Sequence, residues 1–167
     1  MTILIDSTAY SVISSAERIA AKYGIPCHIY CNTDSLPEYG SSELHYADKS
    51  KSAANSAIIN NCGRGDIIVT RDSGLAALAL TKGAAAISPG GVHFTDENIM
   101  LYLNNRYAGE FARRKYSKTR VRGRLIPCNA PKGGFRPAFS LLINQILQPG
   151  INLSPALDMP VNEEESA

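Results

Sequence analysis

The sequence predicts an α/β fold, a three-layer sandwich with a mostly parallel central sheet. Three observations carry that expectation. Short apolar, β-branched runs alternate with stretches whose apolar residues recur every three or four positions. The connections between them are short, as in sheets built by helical crossovers. The runs Thr2–Ile5 and Ile67–Thr70 show no polar alternation, which suits neighbouring strands buried on both faces at the sheet centre.

Taken in order, Thr2–Ile5 reads as a strand ending at Asp6. Ile13, Ala16, Ile19, Ala20 and Tyr23 form the apolar stripe of a helix stopped by Gly24 and Pro26. Cys27–Cys31 reads as a second strand with both cysteines on one face. A polar loop leads to a weak strand at Glu43–Tyr46, and Ala54, Ile58 and Cys62 mark a helix ending at Gly63. Asp66–Thr70 is the clearest strand. Leu75, Leu78 and Ala79 then form a short helix closed by Gly83, followed by a strand at Ala84–Ile87 and a turn at Ser88–Gly91. Thr95 looks like an N-cap, with Asp96 and Glu97 where a helix dipole favours acids. Ile99, Leu103 and Arg106 continue that helix, and Pro137–Leu147 supports a last one. The expected layout is a single domain over 1–147, with a basic loop at about 113–136 and a disordered tail over 148–167.

The chain has 167 residues, enough to bury a core without disulfides or structural metal. Its four cysteines include no C-x-x-C pair and no histidine at zinc-like spacing, so they read as reduced thiols. No apolar run approaches the roughly 20 residues that span a bilayer, and no signal peptide opens the chain, so no membrane partner and a cytoplasmic location are expected. The net charge of +2 conceals an asymmetry. Residues 1–110 carry 8 Lys/Arg against 11 Asp/Glu, whereas residues 111–157 carry 9 basic residues and no acid. A basic block beside an acidic body is the electrostatic pattern of a polyanion binder, and equally that of a solvated loop.

In a sheet of this kind the site lies outside the carboxyl ends of the strands. Asp6 and Asp72 fall there, while Asp66 sits at the entering end of its strand and reads as structural. Two carboxylates at one edge suit Mg²⁺ or Mn²⁺, which can activate water and offset charge on a phosphodiester. Singly, each acid is more often a loop or capping residue; jointly, the two readings stand side by side. Ser7 and Thr8 read first as helix caps. His28 reads as a packed or edge residue, and His45 and His93 have no evident carboxylate or thiol partner. No G-x-G-x-x-G follows a strand, and neither a P-loop nor a G-x-S-x-G elbow is present. Ser88–Gly91 and Lys132–Gly134 could offer backbone N–H groups to phosphate, but ordinary turns explain both as well.

The segment GDIIVTRDSGLAALALTKGAAAISPGGVHFTDENI, Gly65–Ile99, resembles the uncharacterised YaiI/YqxD family. The shared pattern is GD-hydrophobic-T-x-D-x-x-L-A, then K-G-A, a Pro-Gly turn and T-x-E-N-I. It is carried here by Gly65, Asp66, Thr70, Asp72, Leu75, Ala76, Lys82, Gly83, Ala84, Pro89, Gly91, Thr95, Glu97, Asn98 and Ile99. With Asp6 and a looser continuation through Arg106 and Arg113, the resemblance covers most of 1–147. It implies a PIN-like fold, whose members are typically Mg²⁺- or Mn²⁺-dependent ribonucleases with acids at strand ends. The chain departs from that pattern. Where the family opens D-x-D-A-C-P, this chain has Asp6-Ser7-Thr8-Ala9-Tyr10-Ser11. A family acidic stretch falls on Ser52, Asn55 and Ser56, and a family Arg-Asp falls on Arg106-Tyr107; Asp48 is close in sequence as a substitute acid.

Three functions are expected, in order. The first is a metal-dependent nuclease acting on RNA, with Asp6 and Asp72 as catalytic metal ligands supported by Thr70 or Thr8. Here Arg113, Arg114, Lys115, Lys118, Arg120, Arg122 and Arg124, seven cations within twelve residues, hold the phosphate backbone. The second is a non-catalytic nucleic-acid-binding protein that has lost part of its acidic site. The third, on the faint echo of D-x-D/T at Asp6-Ser7-Thr8, is a small phosphatase of the haloacid dehalogenase type.

Overall fold

The computed structural model describes residues 1–31, 40, 42–47, 51–115 and 133–149, with the side chains of 51–52 and 108–115 outside that description. The strands are β1 (Ile3–Asp6), β2 (Cys27–Cys31), β3 (Glu43–Tyr46), β4 (Ile67–Val69), β5 (Ala85–Ile87) and β6 (His93–Phe94). They form one six-stranded sheet in the order β3-β2-β1-β4-β5-β6. The first five run parallel, and β6 pairs antiparallel with β5. The helices are α1 (Ile13–Lys22), α2 (Lys51–Asn61), α3 (Ser73–Thr81), α4 (Ile99–Lys115) and α5 (Phe135–Leu147), with a 3₁₀ segment at Ser7–Val12.

β1 and β4 are adjacent and central, as their composition predicted, and all of their residues are buried. A strand covered on both faces has no solvent side to mark with polar residues. Ile3, Ile5, Ile29, Ile67, Val69 and Ile87 face one apolar layer, made by Ile13, Ala16 and Ala20 of α1 and by Phe135, Phe139 and Ile143 of α5. Leu4, Tyr30, Ile68 and Ala86 face the other, made by Ile58 of α2, Leu75, Ala76 and Ala79 of α3, and Ile99 of α4. This is the three-layer sandwich. Among the described residues no helix is long and apolar enough to cross a membrane.

Local differences from the expected elements have physical causes. Thr95 does not cap a helix, because α4 begins at Ile99. Asn98 organises the preceding turn instead: its Oδ1 accepts the Thr95 N–H (3.0 Å), and its Nδ2 donates to the His93 carbonyl (2.8 Å). The two-residue strand β6 gives no periodic signal of its own and forms because the 88–91 turn folds back along β5. Gly91 makes that turn possible. It has φ +83°, and a Cβ there would lie 2.6 Å from the Gly134 carbonyl oxygen at the start of α5. His93 Nε2 meets the Ala138 carbonyl at 2.9 Å, tying β6 to α5. Leu78, expected on the apolar face of α3, is 53% exposed.

Asp66 is structural, as its position at the entering strand end predicted. Its carboxylate accepts the Thr2 N–H (2.7 Å) and the Gly63 N–H (2.8 Å), joining β1, α2 and β4. Cys27, Cys31 and Cys62 are thiols rather than disulfides. Burial pushes the Cys27 thiol up to about 11 and raises that of Cys62, so both stay protonated near neutrality.

Candidate functional site

β1 connects through α1 to β2 on one side of the sheet, and β3 connects through α2 to β4 on the other. The chain therefore changes direction between β1 and β4. At such a switch the flanking helices leave on opposite faces and open a crevice outside the carboxyl ends of the two strands. Asp6, Thr70 and Asp72 stand at that point.

Asp6 ends β1 and caps the 3₁₀ segment, where a short side-chain acceptor satisfies an otherwise orphaned N–H. It is 3% exposed. Its Oδ1 accepts the Thr8 N–H at 3.2 Å, and its Oδ2 accepts the hydroxyls of Thr8 (2.5 Å) and Thr70 (2.8 Å). Thr70 is fully buried, and its Oγ1 in turn accepts the Asp72 N–H at 2.9 Å. One hydroxyl thus links the two acids. Asp72 caps α3: its Oδ1 accepts the N–H groups of Gly74 (2.8 Å) and Leu75 (3.3 Å). The same oxygen forms a close ion pair with Arg106 of α4, while Asp72 Oδ2 accepts from Asn55 Nδ2 at a long 3.4 Å.

The donor set is hard: two carboxylates, a hydroxyl and an amide, the chemistry Mg²⁺ and Mn²⁺ prefer. Each acid keeps one lightly held oxygen, Asp6 Oδ1 and Asp72 Oδ2, whereas the other oxygen of each carries two or three donors. In donor chemistry the residues suit such a cation. They also show what a cation must compete with, since Arg106 already offsets the charge of Asp72.

Asp6 and Asp72 are thus brought into one hydrogen-bonded unit through Thr70, with Thr8 bonded to Asp6. Asn55 reaches Asp72 as a neutral amide. Arg106 is the residue that sequence reasoning left without a role. Its signal was faint: a cation on a helix following the acid-bearing strands. Asp48, Lys118, Arg120, Arg122 and Arg124 lie outside the described residues, as do the side chains of Ser52, Arg113, Arg114 and Lys115.

A second cluster is a correction to the expectation for the histidines. His28 and His45 are neither solitary nor simply packed. The β2–β3 register sets His28 opposite Glu43 and Tyr30 opposite His45, all on one face, so the two imidazoles and the carboxylate converge. Glu43 and His45 alternate on one strand, which was visible, but their partner on β2 depends on a register that no spacing reveals.

Residues 4–130 match the family described as Uncharacterized BCR, YaiI/YqxD family. The chain belongs to that family. A UPF0178 protein of Clostridium acetobutylicum is 36% identical over 143 residues, covering 86% of this chain and 97% of the relative. UPF0178 proteins of Ruminiclostridium cellulolyticum and Clostridium tetani are 36% and 34% identical over 119 residues, covering 71% of this chain and 78% and 82% of theirs. No solved structure gives a significant match.

Much of the segment that carried the family resemblance is scaffold. Asp66 ties strands together, Gly83 (φ +75°) closes α3, and Gly91 admits α5. Lys82 Nζ donates to the Ile59 and Cys62 carbonyls at the end of α2. Of that segment, the side chains of Thr70 and Asp72 and the backbone N–H groups of Gly74 and Leu75 enter the acid site.

Proposed function

We propose that the protein is a divalent-metal-dependent nuclease acting on RNA phosphodiesters. The observation that supports this most is the pairing of Asp6 and Asp72 through the Thr70 hydroxyl at the switch point of the sheet. Asp6 and Asp72 would hold Mg²⁺ or Mn²⁺ through their lightly engaged oxygens. Such an ion, when bound, supplies an activated water and offsets charge on the phosphodiester. Thr70 and Thr8 both fix the Asp6 carboxylate, each donating its hydroxyl to Oδ2. Arg106, once its hold on Asp72 is relieved, is a guanidinium at the crevice able to take a phosphate oxygen. The basic stretch that includes Arg120, Arg122 and Arg124 supplies the remaining backbone contacts.

The test is cleavage of single-stranded RNA in Mn²⁺, run beside calorimetric Mn²⁺ titration. Wild type is expected to bind Mn²⁺ and cleave, while Asp6→Asn and Asp72→Asn lose both, because asparagine keeps the shape and removes the charge hard cations require. Absence of Mn²⁺ binding by wild type at millimolar metal overturns the proposal.

A second reading, a nucleic-acid-binding protein without catalysis, is favoured by the Arg106–Asp72 ion pair and by Asn55 meeting Asp72 as a neutral amide. In that case wild type binds RNA without cleaving it. On either reading, RNA affinity measured by fluorescence anisotropy falls steeply with salt and is largely gone by about 0.2 M, as counterion release requires. Replacing Arg120, Arg122 and Arg124 by Ala weakens binding alike for every RNA sequence, because phosphate contacts carry no base information.

A further inference from the structure

We infer that His28, Glu43 and His45 form a Zn²⁺ site, separate from the acid pair, with an open coordination position facing solvent. Three side chains of two parallel strands converge on a single point. His28 Nδ1 lies 2.8 Å from His45 Nε2 and 3.4 Å from Glu43 Oε2, and His45 Nε2 lies 3.7 Å from Glu43 Oε1. A tetrahedral Zn²⁺ with bonds of about 2.05 Å spaces its ligand atoms about 3.3 Å apart. The two nitrogens lie closer than that, the two Glu43 oxygens lie beyond it, one from each nitrogen, and one atom from each residue lies within 4.8 Å of the others. Two imidazole nitrogens and one carboxylate oxygen are a zinc donor set, and they leave the fourth position to water.

The scaffold holds the ligands ready. The β2–β3 ladder fixes His28 opposite Glu43 and Tyr30 opposite His45. The Tyr30 ring, buried in the core, stacks on the His45 ring at 4.7 Å with an interplanar angle of 13°. Without an ion the two imidazole nitrogens share a hydrogen bond, so an entering cation displaces the proton between them. Glu43 is 66% exposed, so the ion is reached from outside, and its open position points the same way. Asp6, Tyr30 and His45 follow one another across the register on one face. The zinc site therefore flanks the acid site two strands away, roughly 10 Å between backbones.

The experiment titrates chelator-stripped full-length protein with Zn²⁺ by calorimetry and with Co²⁺ by visible absorption. One equivalent of Zn²⁺ is expected with a Kd of about 10 µM or tighter. Co²⁺ is expected to give visible bands without the near-ultraviolet charge-transfer band of a thiolate ligand. His28→Gln/His45→Gln should lose at least about 100-fold in affinity, as removal of two of three ligands demands. Glu43→Gln, at an exposed position that cannot threaten the fold, should lose about tenfold. Asp6→Asn/Asp72→Asn should keep wild-type Zn²⁺ affinity, so failure of the acid site and failure of this one are read separately. Wild-type binding weaker than about 0.1 mM, a thiolate band, or unchanged affinity in the double histidine variant would each overturn the assignment.

Discussion

The acid pair at the ends of β1 and β4 and the imidazole pair on β2 and β3 are neighbours across the sheet, yet their partners differ. Asp6 is buried, and Thr8 and Thr70 surround it with three donors. Asp72 takes two helix N–H groups and a guanidinium. Those acids are satisfied by the protein itself, so they belong to the fold as much as to any reaction. At His28, Glu43 and His45 the ligand atoms lie within 4.8 Å of one another and are half-exposed. That cluster contributes little to folding and is completed by a guest. Where a polar group is buried, its protein partners decide stability; where it is open, the ligand does.

The sharpest way to break this contrast is Thr70→Val. Valine keeps the branched shape and removes the hydroxyl that donates to Asp6 and accepts from Asp72. It leaves a buried carboxylate short of a donor and a backbone N–H without its acceptor, at an expected cost of about 2–4 kcal/mol. Urea unfolding measures it as a lowered midpoint at constant slope. In metal-free protein, His28→Gln/His45→Gln should change the unfolding free energy by less than about 1 kcal/mol, since the site is half-exposed. Comparable losses in the two variants would erase the distinction.

The next effect reverses the order of the two regions. Zn²⁺ at 100 times its Kd should stabilise wild type by about 2.7 kcal/mol through mass action. For a chain of this length that raises the melting temperature by roughly 5–10 °C. His28→Gln/His45→Gln should show no such rise, and Thr70→Val should show it in full. A rise in the histidine variant would place the bound ion elsewhere.

How far each region could be read from sequence follows from the same physics. Thr2–Asp6 and Asp66–Thr70 were legible as central strands because full burial leaves an unbroken apolar, β-branched run, and strand ends carry the acids by a topological rule. The acid site was therefore half visible: its two carboxylates were named, but Arg106 was not, since a contact between α4 and the α3 cap depends on how helices pack. β6 was missed because two residues have no period. The start of α4 was misplaced because Thr95 has the chemistry of a cap, while in the structure its N–H is taken up by Asn98 in a turn that precedes the helix. His28, Glu43 and His45 were invisible as a group. Their meeting depends on the register of two strands joined by a long polar segment, and shifting that register by one residue would send every side chain to the opposite face.

The smallest expected effect on stability is the most informative about mechanism. Arg106 is 46% exposed, so its ion pair with Asp72 is worth at most about 1 kcal/mol, and Arg106→Gln should leave unfolding nearly unchanged. Its effect on Asp72 is another matter. The guanidinium occupies the charge a metal would meet, so removing it should raise Mn²⁺ affinity by about tenfold, or ~1.4 kcal/mol. If Arg106 also receives the phosphate, RNA turnover at saturating Mn²⁺ should fall while metal binding improves. A residue with a merely structural role moves neither quantity, and one that only competes with the metal moves both in the same direction. Calorimetry and RNA cleavage on the one variant separate these cases. A protein that binds no Mn²⁺ with either glutamine or arginine at 106 would leave the ion pair as the permanent occupant of the site, and the acid cluster as part of the fold alone.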